Sequence, residues 1–131
     1  MKAAVLFEAK APVQVEDVRI DKPAAHEVLI RTARRIRESV RGDAVVVRWG
    51  GEEFLVVDRI PAAQASAVAE RVRAAVAAPA QPTVTASIGV AARAPSGTDL
   101  YDVITAADAA MYEAKARGGD RVASAGVLTD L

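Results

Sequence analysis

The sequence predicts an α/β (α+β) domain, one sheet with helices packed on it. Three observations predict it. Several stretches repeat apolar residues at steps of three and four, the period of a helix with one buried face. Short β-rich runs separate these stretches, and two of the runs meet at Gly50-Gly51. The resulting order is β-β, helix, hairpin, helix, strand, helix, strand, within a length of 131 residues that suits one domain.

Residues 2–7 and 13–20 read as strands, the second from the imperfect alternation of Val13, Val15, Val18 and Ile20 with polar neighbours. Ala11-Pro12 marks the turn between them. Asp21-Lys22-Pro23 reads as a helix start, with Asp21 as N-cap and proline in the first turn. Val28, Leu29, Ala33, Ile36 and Val40 then form one helical face, with Gly42 as the stop. Val28-Leu29-Ile30 also suits a strand end, but the longer periodicity favours helix. Val45–Trp49 and Glu53–Val57 form the hairpin, with enough apolar positions on both faces to expect it largely covered and Trp49 in the core or covering the hairpin. Pro61 opens a helix with Ala65, Val68, Val72 and Val76 on one face, ended by Pro79 and Pro82. Thr83–Ala91 reads as a strand and 94–99 as a loop. Leu100, Val103, Ile104, Ala107, Met111 and Ala114 line a last helix, stopped by Gly118-Gly119. Arg121–Ala123 reads as a short final strand, and the tail from Ser124 has little pattern.

Composition narrows the chemistry. Seventeen basic residues balance seventeen acidic ones, so neither a nucleic-acid backbone nor an anionic membrane is expected as partner. The absence of cysteine excludes disulfides, thiolate metal sites and cysteine nucleophiles, and one histidine, His26, excludes a histidine-based zinc site. No apolar run is long enough to span a bilayer. The opening run, Met1 to Phe7, is interrupted at once by Glu8 and Lys10 and does not read as a signal peptide. A soluble, cytoplasmic protein is expected.

The chemistry-bearing residues gather at the hairpin. A Gly50-Gly51 turn lets backbone approach a ligand with no Cβ in the way. Glu52 and Glu53 follow it directly, and hard oxygen ligands at a hairpin mouth suit Mg²⁺, which commonly takes one or two carboxylates plus phosphate oxygens and waters.

Four blocks, in order and at family spacing, resemble the diguanylate cyclase (GGDEF) family over about residues 27–123. They are the helix from Glu27-Val28-Leu29 to Arg41; Arg48-Trp49-Gly50-Gly51-Glu52-Glu53-Phe54; Ala86-Ser87-Ile88-Gly89-Val90-Ala91; and Ala107-Asp108-Ala109-Ala110-Met111-Tyr112-Glu113-Ala114-Lys115. The resemblance implies a nucleotidyl-cyclase-like fold with a central, mostly antiparallel sheet, and the conversion of two GTP to cyclic di-GMP and pyrophosphate, with Mg²⁺ (or Mn²⁺) as cofactor and a homodimer needed for catalysis. It implies that Glu52 and Glu53 are the metal-binding and catalytic carboxylates, and that Gly50, Gly51 and Lys115 contact the nucleotide. Asp108, Ser87 and Gly89 are expected to serve packing.

The sequence also departs from that family. A full domain begins with a central strand bearing an Asp-x-Asp metal site, followed by a guanine-reading Asn; here that strand is missing or replaced, and Asp17 and Asp21 lack the pattern. His26 stands where a second guanine-reading acid is expected. The usual Gly-Arg pair near the end aligns its arginine with Gly119, leaving Arg121 as the candidate phosphate contact and Arg117 two residues before. In the Arg-x-x-Asp inhibitory motif, Arg41 is present as a remnant but Ala44 takes the Asp position, so feedback binding of cyclic di-GMP is expected to be weak or absent.

Residues 1–25 resemble the start of a zinc-dependent, medium-chain alcohol dehydrogenase, without its zinc-binding cysteine. The expected organisation is therefore this segment, a partial GGDEF domain over 26–123, and a tail over 124–131. Residues 2–7 are apolar enough to enter the sheet as a surrogate strand. The expected function is cyclase-like with impaired activity. The alternatives are a non-catalytic nucleotide- or protein-binding module, or a fusion relic without function.

Overall fold

The structure, a computed structural model, describes residues 2–5, 14–17, 25–80, 83–93 and 98–128. Its elements are β1 (Lys2–Val5), β2 (Gln14–Asp17), α1 (Ala25–Ser39), β3 (Val45–Gly50), β4 (Glu53–Val57), α2 (Ala62–Val76), β5 (Ile88–Arg93), α3 (Leu100–Ala116) and β6 (Val122–Leu128). The α+β class and the element order are those expected. The sheet differs: the described strands form three separate pairs, β1-β2, β3-β4 and β5-β6. β3-β4 is antiparallel, whereas β5-β6 is parallel, with α3 as the crossover that parallel pairing requires. β1 is bonded to β2, from Lys2 opposite Asp17 to Val5 opposite Gln14, and is not a surrogate strand in a larger sheet. The expected helix start at Asp21-Lys22-Pro23 and the turn at Ala11-Pro12 lie outside the described residues.

α1 and α2 pack together because each carries an apolar stripe. Ile36, Val72 and Val76 form the buried cluster, and Val76 is only 1% exposed. Val46, Phe54 and Val56 from the hairpin, with Val84, Ala86 and Ile88, pack against the same cluster. Polar groups fix the helix ends around it. Arg35 on α1 donates to the carbonyls of Val76 and Ala78, 2.9 and 3.0 Å away, satisfying the C-terminal end of α2. Arg37 likewise donates to the carbonyls of Arg41 and Ala44, holding the turn from α1 into β3.

The hairpin is less covered than expected, and Trp49 is not a core residue: its side chain is 59% exposed. The cause is register. Arg48 pairs with Phe54 and Gly50 with Glu53, so Trp49 is the extra residue of a β-bulge and is turned to solvent. Val45 is also exposed, since the alternation that turns Val46 inward turns its neighbour outward.

Two strand boundaries shift. The expected strand 83–91 begins only at Ile88, because residues 83–87 have no ladder partner among the described residues, although Val84 and Ala86 still pack on the core. The final strand runs to Leu128 instead of stopping at Ala123, so residues 124–128 are not a patternless tail. It follows the edge of β5, and a register shift between Val90 and Ala92 coincides with Gly126 at φ +79°. Thr98, buried, donates to the Leu128 carbonyl at 3.2 Å and secures that end.

α3 begins on Asp99, whose side chain accepts from the Tyr101 amide at 3.0 Å. It ends at Gly118 and Gly119, both at positive φ. Leu100, expected on the buried face, is exposed at the first turn. Gly89 explains how closely α3 lies on β5: a Cβ there would stand 1.8 Å from the Ala107 carbonyl oxygen and 2.3 Å from the Met111 nitrogen.

Candidate functional site at the hairpin mouth

The site is built on the turn between β3 and β4. Neither Gly51 nor Glu52 has positive φ, so the turn is not one of the primed types that need glycine for its backbone. The bulge at Trp49 supplies the twist instead, and Arg48 Nε donates to the Gly51 carbonyl at 2.9 Å to close the turn. Glycine contributes space. A Cβ on Gly51 would meet nothing within 4 Å, and one on Gly50 would meet only Glu53 Oε2, at 3.8 Å. The backbone at Gly51 is therefore open to an incoming group.

Glu52 is exposed and Glu53 half-buried at the head of β4. Lys115, in the last turn of α3, places its Nζ 3.9 Å from Glu53 Oε1. Both partners are about half exposed, so the pair contributes at most about 1 kcal/mol. Such a pair opens easily, and a phosphate would compete well for the ammonium. Gly51, Glu52, Glu53 and Lys115 all line one large cleft.

Other expected residues are not part of that cluster. Arg121 is exposed and donates to the Gly119 carbonyl at 3.1 Å. Arg117 pairs with Glu113. Arg41 pairs with Asp43 at 3.4 Å, and Ala44, at the position where an inhibitory-site acid was sought, is buried. Asp108 lines the cleft, is exposed and makes no hydrogen bond among the described residues, so the expected packing role does not hold for it. Ser87 lines the cleft too, and Gly89 has the packing role expected of it.

Among the described residues, no three His, Cys, Asp or Glu side chains cluster as metal ligands. The adjacent hairpin carboxylates, Glu52 and Glu53, are hard oxygen donors of the kind suited to a cation that keeps most of its coordination for phosphate and water.

The family description "Diguanylate cyclase, GGDEF domain" matches residues 22–121. The chain belongs to the GGDEF family. The GGDEF chain is similar to diguanylate cyclase DgcM of Escherichia coli (strain K12), 39% identical over 104 residues, covering 76% of this chain and 25% of that protein. It is similar to the bifunctional diguanylate cyclase/cyclic di-GMP phosphodiesterase MucR of Pseudomonas aeruginosa, 36% identical over 97 residues, 70% of this chain and 14% of that one. The chain thus spans a quarter or less of these relatives' lengths. Among solved structures it resembles the GGDEF domain of DgcB from Caulobacter crescentus in complex with c-di-GMP, with TM-score 0.67, 29% identity, and 76% and 63% of the two chains covered. It also resembles diguanylate cyclase SiaD in complex with its activator SiaC from Pseudomonas aeruginosa, with TM-score 0.67, 35% identity, and 74% and 40% covered. No helix among the described residues is long and apolar enough to cross a membrane.

Two residues beside the motif had no role assigned from the sequence. Arg48, the first residue of the second block, closes the turn. Asp58 has both carboxylate oxygens shut off from solvent with no hydrogen-bond partner among the described residues.

Proposed function

We infer that the chain is a GTP-binding GGDEF module that keeps the phosphate-facing part of a diguanylate cyclase site and has impaired turnover. The observation that carries this is the meeting of Glu52, Glu53 and Lys115 on one cleft, with Lys115 Nζ 3.9 Å from Glu53. Gly50 and Gly51 let the triphosphate lie against the turn backbone, and Lys115 moves from Glu53 to a phosphate oxygen. Glu52 and Glu53 would hold Mg²⁺ or Mn²⁺, and Glu52 would accept the proton of the attacking hydroxyl. The bound cation would neutralise charge on the phosphates. In the full reaction, two such domains face each other. The 3′-hydroxyl of each GTP attacks the α-phosphate of the other, and pyrophosphate leaves.

Turnover is impaired because, among the described residues, no third acidic side chain joins Glu52 and Glu53 in a metal-holding group, and Mg²⁺ demands near-ideal geometry. Arg121, engaged with its own loop, contributes to phosphate binding only if it leaves Gly119. Arg41 without an acid at Ala44 does not rebuild an inhibitory site. The dehydrogenase-like segment over residues 1–25 adds no zinc chemistry, the domain proper runs over 26–123, and the module works in the cytoplasm.

GTP with Mg²⁺ at a hundredfold excess over its dissociation constant should stabilise the protein by about 2.7 kcal/mol. Thermal melting reads this directly, and no shift at millimolar GTP would refute the reading. Cyclic di-GMP formation is then compared between wild type and Glu52→Ala; equal traces in both would exclude catalysis by this chain.

A further inference from the structure

The chain's single tryptophan stands beside the turn proposed to receive phosphate, and it is not buried. Trp49 is 59% exposed and lines the same cleft as Gly51, Glu52, Glu53 and Lys115. A large apolar face left in water is a cost that a flat ligand removes by covering it. Among the described residues, Val57, Leu100 and Tyr101 are also large, apolar, exposed and on the cleft. Val57 ends β4, at the opposite end from Glu53. Leu100 and Tyr101 open α3, about 20 Å along the helix from Lys115. Trp49 is therefore the one of these four at the hairpin mouth.

Its direction is built into the strand. Arg48 pairs with Phe54 and Gly50 with Glu53, so the ladder holds the backbone on both sides of Trp49. A bulge of this kind re-aims one side chain while the strand continues. Arg48 then bonds the Gly51 carbonyl at 2.9 Å and fixes the turn against the bulge.

The spacing suits a nucleotide. Trp49 and Gly51 are two residues apart, so their Cα atoms are separated by at most about 7 Å. A nucleoside triphosphate lying against the Gly51 backbone carries its base one ribose beyond the α-phosphate, within reach of the indole. Stacking on an aromatic side chain tolerates any base, because every base has a π face. The neighbours of Trp49 leave no side chain to read the base's edge. Gly50 and Gly51 have none, and Arg48 is engaged with the Gly51 carbonyl. Glu52 and Glu53 are assigned to the cation.

We propose that Trp49 stacks on the base of the bound nucleotide and sets the site's base preference: a purine is gripped by its face, and adenine is taken as readily as guanine. The proposal rests on the triphosphate reading above and widens its substrate class from GTP to purine nucleoside triphosphates.

Because the indole is the only one in the chain, its emission reports on this contact directly. The probes are GTP, ATP and inorganic triphosphate, each with Mg²⁺, added to the full chain and followed by tryptophan fluorescence and calorimetry. GTP and ATP should quench the emission saturably, with dissociation constants within about threefold of each other. Inorganic triphosphate should bind without quenching. Trp49→Ala should weaken both nucleotides about tenfold and leave inorganic triphosphate unchanged. Trp49→Phe keeps a π face and should retain most of the nucleotide affinity. Nucleotides that bind Trp49→Ala as tightly as wild type would overturn the stacking and leave the triphosphate reading intact. Failure of all three probes to bind wild type would remove both. A tenfold preference for GTP over ATP that survives in Trp49→Ala would place base recognition elsewhere and overturn the proposal. Emission that changes with protein concentration alone, and not with nucleotide, would assign the indole to a contact with a second copy.

Discussion

Single residues divide here into those that hold the fold and those that hold only space. Gly89 is the first kind. Alanine there drives a Cβ into the backbone of α3 at Ala107 and Met111, and neither strand nor helix can yield cheaply. Gly89→Ala should destabilise by about 3 kcal/mol, at the upper end for overpacking, as read by urea unfolding. Gly51 is the second kind. With open space around it and no positive φ, Gly51→Ala should change stability by less than about 0.5 kcal/mol. Its Cβ would stand where the triphosphate is proposed to lie, so GTP binding should weaken about tenfold, about 1.4 kcal/mol. Calorimetric titration beside a melting curve separates the two effects. The sequence marked both glycines but could not rank them, because the Gly89 constraint comes from a helix 18 or more residues away in the chain.

Between elements, the charged contacts among the described residues are few. Arg73 on α2 bonds Glu70 on its own helix and reaches Asp120 at 2.6 Å, tying α2 to the loop before β6. The Arg73 hydrogen bond holds the Glu70 carboxyl below the ordinary carboxylate range, and Arg73 itself is raised. A lowered folded pKa means that the Glu70 contribution is complete above the unfolded value and is lost as pH falls through the folded one. Melting temperatures of wild type and Glu70→Gln should therefore differ at neutral pH and converge as pH drops through the acid range; a constant difference would contradict the linkage. At this scale the apolar stripes of α1, α2 and α3 were legible from spacing alone. The hairpin was legible from its glycines and flanking valines. The bulge at Trp49 and the reach of β6 to Leu128 were not. Both depend on a partner strand's register, which local sequence does not encode.

Across the whole molecule, the buried cluster of Ile36, Val72 and Val76 connects α1 and α2 to the β3-β4 hairpin and to β5. Val76→Ala should cost about 2 kcal/mol, since two methyl groups leave a site that is 1% exposed. Chemical denaturation checks it, and a smaller loss would mean the core can collapse around the change. The family was readable from four sequence blocks because each lies on an element that the fold brings to one cleft. The separation of the sheet into pairs was foreshadowed only by the failure to find a first central strand. Asp58 carried no signal at all: its isolation among the described residues arises from enclosure, which appears only in three dimensions.

The central claim is that the hairpin carboxylates and Lys115 receive a metal-bound triphosphate, and titration of GTP with Mg²⁺ onto wild type, Glu52→Ala and Lys115→Ala tests it most directly. The account predicts saturable binding to wild type, weakened about tenfold or more in each variant with melting temperatures in the absence of GTP preserved. Binding of equal strength in all three proteins, or none in any, would contradict it.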